Sequence, residues 1–522
     1  MQIWQLAVLG TYGACAAALS LFGAHRAGLT ASFWWRWSER PEPRMTSTWP
    51  AVTIQLPVFN ERDVVGRLVD HACKLSYPGP LQIQVLDDST DDTTERAMQA
   101  VERWQAQGVD IQLHHREDRQ GFKAGALQDA MPLVRGEFIA IFDADFLPPH
   151  DFLLRAMPHF GPGVGMVQAR WGHANDHASL LTRLEAVLLD GHFVIEHTAR
   201  HRSGRWFNFN GTAGIWRRET IESAGGWQHD TLTEDLDLSY RAQLQGWRFV
   251  YLPQVVVPAE LPPSLRAFKS QQHRWAKGSI QTLLKLGPTL ARAPIPLRVK
   301  AEALLHLSNN LAYPPLVLLT LLTPLAVWIR GQEDVPMAWL DLPFFLLATV
   351  GVLFFYGSSQ LAVYRDWPRR LLRIPGVMAL GMGMAINQSR AVIEALRGQR
   401  SPFVRTPKAG DAERSSYRMP GHWSVVLEAG LALYHLVGVL LAFDLSYWPA
   451  LGLQALLLSG FWGVAWFSFR PGAGAGRGAP PPASPHPAST APTAPRSRAP
   501  SAPERAHSPP PAADSERPAS PA

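Results

Sequence analysis

Cysteine is nearly absent. Cys15 and Cys73 are the only two in 522 residues, which excludes a disulfide framework and leaves no zinc-ligand spacing. Reduced thiols in a chain facing the cytosol are the plain reading. Strong charge of one sign is lacking too, since 49 basic and 43 acidic residues leave a net charge of +6. The Arg and Lys residues sit mainly beside apolar segments. That is positive-inside loop charge, with no nucleic acid as a partner. The stretch 470–522 has almost no large apolar residues and is rich in Pro, Ala, Ser and Gly. It cannot bury a core and reads as a disordered Pro/Ala-rich tail.

Charge is scarce in five further places: residues 3–22, 311–329, 338–361, 424–443 and 447–468. Each stretch, at about 20 residues, is long enough to cross a bilayer. The first has no basic residue ahead of it and is followed by Arg26, Arg36 and Arg40. That order favours an uncleaved anchor over a cleaved signal peptide, with Trp34, Trp35 and Trp37 as interfacial aromatics. The loop Tyr364–Arg373 holds four arginines and belongs inside. Residues 374–396 are weakly apolar and carry Asn387, Gln388, Arg390 and Glu394; an interfacial helix is the preferred reading, a span the alternative. The expected divisions are an N-terminal transmembrane anchor (1–25), a soluble domain (50–285), a transmembrane pair (300–362), an interfacial helix and loop (374–420), a second transmembrane pair (422–469) and the tail (470–522).

The soluble domain alternates strand and helix at short intervals. Strands are expected at Val52–Leu56, Leu81–Leu86 and Val109–His114, with helices at Asp63–Leu75, Asp92–Gln107 and Phe122–Met131. This order argues for a mostly parallel sheet with right-handed crossovers, an α/β, Rossmann-like fold. The central strand is the apolar run Phe138–Phe142, which delivers Asp143 and Asp145 at its C-terminal end. Ligands of open α/β sheets bind there. Two carboxylates on one turn can grip a hard divalent cation, although a solvated acidic turn looks the same. Further on, a strand is expected at Val164–Trp171, a long helix at Ser179–Arg200, a helix starting near Trp216, a helix at Asp237–Gln245 and a strand at Arg248–Leu252. Ser264–Lys277 is amphipathic and basic, suited to a membrane interface.

Asp87 and Asp88 end the second strand, and Asp235 lies in Thr233–Asp237, read TEDLD. Acids also favour helix N-termini for electrostatic reasons, so the last group has two readings. In Gln271–Trp275, read QQHRW, an Arg beside an indole and two amides suits a phosphate and a stacked ring. Ser401–Lys408, read SPFVRTPK, is either a phosphate-contacting segment or a plain basic juxtamembrane loop.

Taken in order, DD (Asp87, Asp88), DxD (Asp143, Asp145), TED (Thr233–Asp235) and QxxRW (Gln271–Trp275), followed by apolar spans, resemble the processive family-2 glycosyltransferases of the cellulose-synthase superfamily. The words VLDDSTD, KAGAL, AIFDADF, VQARW, FNGTAG, GGW and QQHRW look like the glucomannan and xyloglucan-backbone branch and its bacterial relatives. The resemblance covers about residues 50 to 470. It implies a GT-A fold in the cytosol, inserted between transmembrane helices. It implies that Asp87 and Asp88 contact the nucleoside, that Lys123 sits near the nucleotide, and that Asp143 and Asp145 hold the diphosphate through Mg²⁺ or Mn²⁺. Asp235 would be the general base, and Gln271, Arg274 and Trp275 would bind the diphosphate and the acceptor end. Phe209, Asn210, Gly211 and Thr212 would line the acceptor site. Phe403, Thr406 and Lys408 resemble a gating loop FxVTxK, from which Arg405 departs where Val is expected. The implied reaction moves glucose or mannose from UDP-glucose or GDP-mannose to a growing β-glycan with inversion, polymerising and secreting it. Single-sugar transfer to a lipid and a non-catalytic scaffold are the competing readings. An Ala-, Arg- and Pro-rich composition hints at a bacterium, which would put this multi-pass protein in the plasma membrane.

Overall fold

The computed structural model describes residues 1–43, 48–333, 346–399 and 422–469. Among these, seven strands form one sheet in the order β3–β2–β1–β4–β6–β5–β7. They are β1 (Val52–Val58), β2 (Leu81–Asp87), β3 (Ile111–His115), β4 (Phe138–Ile141), β5 (Val164–His173), β6 (Gly214–Arg217) and β7 (Arg248–Ala259). β1 pairs in parallel with β2 and β4, and β2 with β3. The strand–helix alternation of the sequence is therefore a run of parallel crossovers, with helices Val65–Cys73, Thr93–Gln105 and Phe122–Ala130 between the strands.

Helices cover both faces of the sheet, so its middle strands have no wet side. All seven β1 residues are buried. Its two polar side chains each donate sideways along the register. Thr53 donates to Gln82 Oε1 at 2.8 Å, and Gln55 donates to Gln84 Oε1 at 3.0 Å. Val65, Leu68 and Val69 fill one face, with Ala97 and Val101. Leu127, Trp216, Trp227 and Leu238 fill the other.

Three expectations change in the second half. Trp216 does not begin a helix; it lies on β6, which pairs antiparallel with both β4 and β5, and the helix starts at Arg218. A four-residue strand has too little periodicity to read, and pairing on both sides decides its state. β7 runs to Ala259 rather than Leu252, because a register shift against β5 lets the chain resume pairing beyond Pro253. As an edge strand it tolerates Pro253 and Pro258. The long helix expected from Ser179 begins there, capped by Ser179 Oγ, which accepts from the Thr182 N–H at 3.1 Å. It runs as Leu180–Asp190, a π-helical turn Gly191–His197, then Thr198–Arg202.

Among the described residues, four helices are long and apolar enough to cross a membrane: Ile3–Trp35, Leu297–Gln332, Ser424–Asp444 and Leu451–Phe469. The first is longer than the anchor read from the sequence. Of its tryptophans, Trp35 is exposed, whereas Trp34 donates to Ser358 Oγ at 2.9 Å inside the bundle. The expected span 338–361 lies partly outside the described residues; its second part is a shorter apolar helix, Gly351–Val363. Residues 374–396 form two helices, Ile374–Gly383 and Ala385–Leu396, neither of them a candidate span. The first packs backbone-to-backbone on Leu451–Phe469, since a Cβ on Gly383 would stand 2.3 Å from the Gly460 carbonyl. The basic helix beginning at Leu265 continues to Arg292 and is tied to a membrane helix by Lys269, which bonds both Glu428 carboxylate oxygens at 2.6 and 2.8 Å. The gating-loop residues Phe403, Thr406 and Lys408, and the tail 470–522, lie outside the described residues.

Candidate active site

β4 stops at Ile141, and its carboxyl end carries the turn Asp143–Phe146, closed by the Phe146 N–H on the Asp143 carbonyl at 3.0 Å. Both aspartates of this turn face one cavity of about 220 Å³. The Asp143 backbone N–H donates to Thr212 Oγ1 at 2.9 Å, which locks the turn to the segment before β6. Lys123, on the first turn of the Phe122–Ala130 helix, donates to Asp143 Oδ1 and, at 2.8 Å, to the Gly211 carbonyl. Gly211 has φ +82°, and a Cβ there would sit 3.1 Å from Asp235 Oδ2. Only glycine combines that backbone with that approach.

Asp235 sits on the first turn of the Glu234–Leu244 helix, with Oδ1 accepting the Leu236 N–H at 2.8 Å. This helix start is held by the Leu265–Arg292 helix. Gln281 Oε1 accepts the Leu232 N–H at 2.9 Å, and a Cβ on Gly278 would stand 2.5 Å from Thr233 Cγ2. That close approach brings Gln271, Arg274 and Trp275 to the same cavity as Asp143, Asp145 and Asp235.

The charges are mutually dependent. Burial raises the Asp235 pKa, the Glu234 carboxylate beside it adds to the rise, and the result is about 7. A carboxylate poised there takes a proton near neutral pH. Burial works against the Lys123 ammonium, but Asp143, Glu234 and Asp235 outweigh it and keep Lys123 charged. The site therefore already holds a cation against Asp143. Among the described residues no cluster of three His, Cys, Asp or Glu side chains suits a metal. Two carboxylates on one turn still fit Mg²⁺ or Mn²⁺, which bind through one or two carboxylates and complete their shell with phosphate oxygens and water.

The other predicted residues divide. Asn210 and Gly211 line the cavity; Phe209 and Thr212 do not. Phe209 is core, packed edge-on against Trp216, and Thr212 acts from behind through Asp143. Asp88 lines the cavity and is held by Arg116 through two bonds of 2.8 and 2.7 Å. Asp87 stands outside it, fully buried. Its carboxylate accepts from Ser89 N–H at 3.1 Å and Thr94 Oγ1 at 2.6 Å, and pairs with His115 Nδ1 at 2.7 Å. Those bonds close the turn after β2. Sequence reasoning passed over Glu61, Arg119, Trp171 and Glu260 on the cavity wall. Trp171 lies 6.4 Å from Trp275 between ring centroids, so the two indoles frame one side. Its word VQARW was visible in the chain, but no spacing marked it as a wall residue.

The family profile described as Glycosyltransferase like family 2 matches residues 50–278. Glucomannan 4-beta-mannosyltransferase 2 of Arabidopsis thaliana is 44% identical over 254 residues, which cover 47% of this chain and 48% of the relative. A probable glucomannan 4-beta-mannosyltransferase 7 of Oryza sativa subsp. japonica is 38% identical over 340 residues, 60% of this chain and 58% of the relative. The chain thus spans about half the length of the curated relatives it matches. Among solved structures, the mannosyltransferase PcManGT from Pyrobaculum calidifontis, in complex with GDP-Man and Mn²⁺, is 24% identical, with a TM-score of 0.48 over 74% of this chain and 99% of that one.

Proposed function

We propose that residues 50–278, which match the glycosyltransferase family 2 profile, form a transferase domain, and that the protein transfers mannose from GDP-mannose to the terminal hydroxyl of a growing β-glycan. One observation carries this reading: Asp235 and the Asp143–Asp145 turn line the same cavity, with Arg274 and Trp275 on its rim. The donor choice follows the relatives, which are named as mannosyltransferases.

An acceptor hydroxyl is a poor nucleophile until it loses its proton. Asp235 takes that proton, a contribution of about 10²–10⁴ in rate. The leaving diphosphate gathers charge, which Arg274 and Lys123 meet in a partly dry site. A divalent cation on Asp143 and Asp145 would supply further neutralisation of the diphosphate. One base on one side and the leaving group on the other give a single displacement, so an α-linked donor yields a β-linked product. Asp88 borders the nucleotide end, Asn210 and Gly211 the acceptor end, and Trp171 and Trp275 offer ring faces to sugars.

A second cavity, of about 650 Å³, lies among the apolar helices and is lined by Tyr12, Arg26, Tyr313, Arg330, Tyr356 and Tyr447 with apolar side chains. We read it as the path of the product, with the catalytic domain in the cytosol. Among the aromatic residues of these helices, Tyr356 lines this cavity, Phe355 is buried beside Gly191, and Trp328 and Phe354 are exposed on the bundle surface. Phe344 and Phe345 lie outside the described residues.

The test is incubation of the full chain in lipid nanodiscs with GDP-mannose and Mn²⁺ or Mg²⁺, with UDP-glucose in parallel. A long product cleaved by β-mannanase is expected. A product of one added sugar, or polymer from UDP-glucose alone, overturns the proposal.

A further inference from the structure

The π-helical turn Gly191–His197 lies on the wall between the two cavities. Leu188, just before it, lines the intramembrane cavity, and the next residue, Leu189, lines the catalytic one. π turns are rare and concentrate at functional sites. This one bears on Asn210. His197 Nε2 lies 2.6 Å from Asn210 Oδ1, and Asn210 Nδ2 lies 3.0 Å from His192 Nε2. The carboxamide must accept from His197 and donate to His192, which places the His192 proton on Nδ1, 2.9 Å from Glu196 Oε2. His197 Nδ1 is buried with no hydrogen-bond partner, as a neutral ring protonated on Nε2 would leave it. The polar chain then runs on through Arg200, which bonds Glu196 at 3.3 Å and Glu302 at 3.0 Å. Glu302 also takes His25 of the first membrane helix at 3.0 Å. At its other end the turn is pressed by a membrane element: a Cβ on Gly191 would stand 2.5 Å from Phe355 Cε1 and 2.8 Å from Tyr356 Cε1.

We propose that the Gly191–His197 turn is a positioning element for the acceptor: His192 and His197 clamp the Asn210 carboxamide on the acceptor side of the cavity. His192 and His197 touch no reacting atom; they act through Asn210. The inference rests on the function proposed above and deepens it. A buried polar chain of this kind restricts the geometry of its members, and it ties the acceptor end of the site to the helices around the second cavity. Donor binding centres on Asp88, Asp143 and Asp145, beyond the carboxamide that the two imidazoles hold.

The test uses the full chain in nanodiscs. His197→Phe keeps the bulk of the ring and removes the donor; His197→Gln keeps a donor. His192→Phe, at a less buried position, gives a second variant should His197→Phe fail to fold. Three quantities are read: transfer to a mannan oligosaccharide, hydrolysis of GDP-mannose by water, and the Kd for GDP. The Phe variants should lose transfer by about 10- to 100-fold, as a misplaced reactant does, with a raised KM for the oligosaccharide. Hydrolysis and GDP affinity should stay within about twofold, and Gln should restore part of the transfer. Parallel loss of transfer and hydrolysis, or no loss of transfer, overturns the inference. A wild-type chain that neither hydrolyses nor transfers overturns the proposed function, and this inference with it.

Discussion

The two halves of the sheet place their functional residues by different means. In the first half, β1 to β4, each acidic group sits where its own strand ends, and a local rule suffices: a parallel strand stops and its carboxyl end carries the side chain. In the second half, Asp235, Asn210 and Arg274 come from a helix start, a loop and a long helix, and they converge only through packing. Gly278 on Thr233, Gln281 on the Leu232 N–H, and Lys269 on Glu428 bring in Asp235 and Arg274, and His192 and His197 hold Asn210. The first half is set by sequence-local geometry. The second depends on elements that reach into the membrane helices.

Substitutions can break this division, and the largest effect is expected at Asp235. Asp235→Asn should lower turnover by about 10²–10⁴-fold while the Kd for GDP stays near wild type, as calorimetry would show; equal turnover would remove Asp235 from the chemistry. Asp143→Asn should weaken divalent-dependent nucleotide binding by about 100-fold, read by titration with and without Mn²⁺. Gly278→Ala tests the packed half alone: the added Cβ pushes on Thr233, and turnover should fall by about tenfold with unchanged nucleotide affinity. Thr233→Ala in the same chain should recover most of that loss.

The pH profile sharpens the same contrast. Burial and Glu234 raise the Asp235 pKa to about 7, so the proton-accepting form grows as pH rises through neutrality. Turnover should climb over that range and fall by about tenfold per unit well below it. The smallest effect on chemistry is expected at Asp87. Asp87→Asn breaks buried bonds to Thr94 and His115 and should cost about 1–3 kcal/mol of stability, seen in thermal unfolding, with little change in nucleotide affinity.

What was readable follows the same line. The run Phe138–Phe142 with Asp143 and Asp145 behind it, and the crossover helices around it, could be taken from apolar periodicity alone. β6 could not, because four residues carry no period and Trp216 looks the same entering a helix or filling a core. Nor could the difference between Asp87 and Asp88: adjacent carboxylates on a strand end point to opposite sides, and only the partners Thr94, His115 and Arg116 show which one turns inward. Spacing in the chain is equally silent about the π turn, since an inserted residue in a helix is a matter of what presses on it.

The direction of β6 decides which residues share the cavity. Gly214 faces Ile141 because the short strand runs against its neighbour, so the stretch leading into it, Phe209 to Ala213, arrives at the rim where Asp143 begins. Had those four residues run the other way, Asn210 and Gly211 would have been delivered to the opposite mouth of the sheet from Asp143 and Asp145, a strand's length away. A single reversal of heading is what turns two separate binding edges into one reaction chamber.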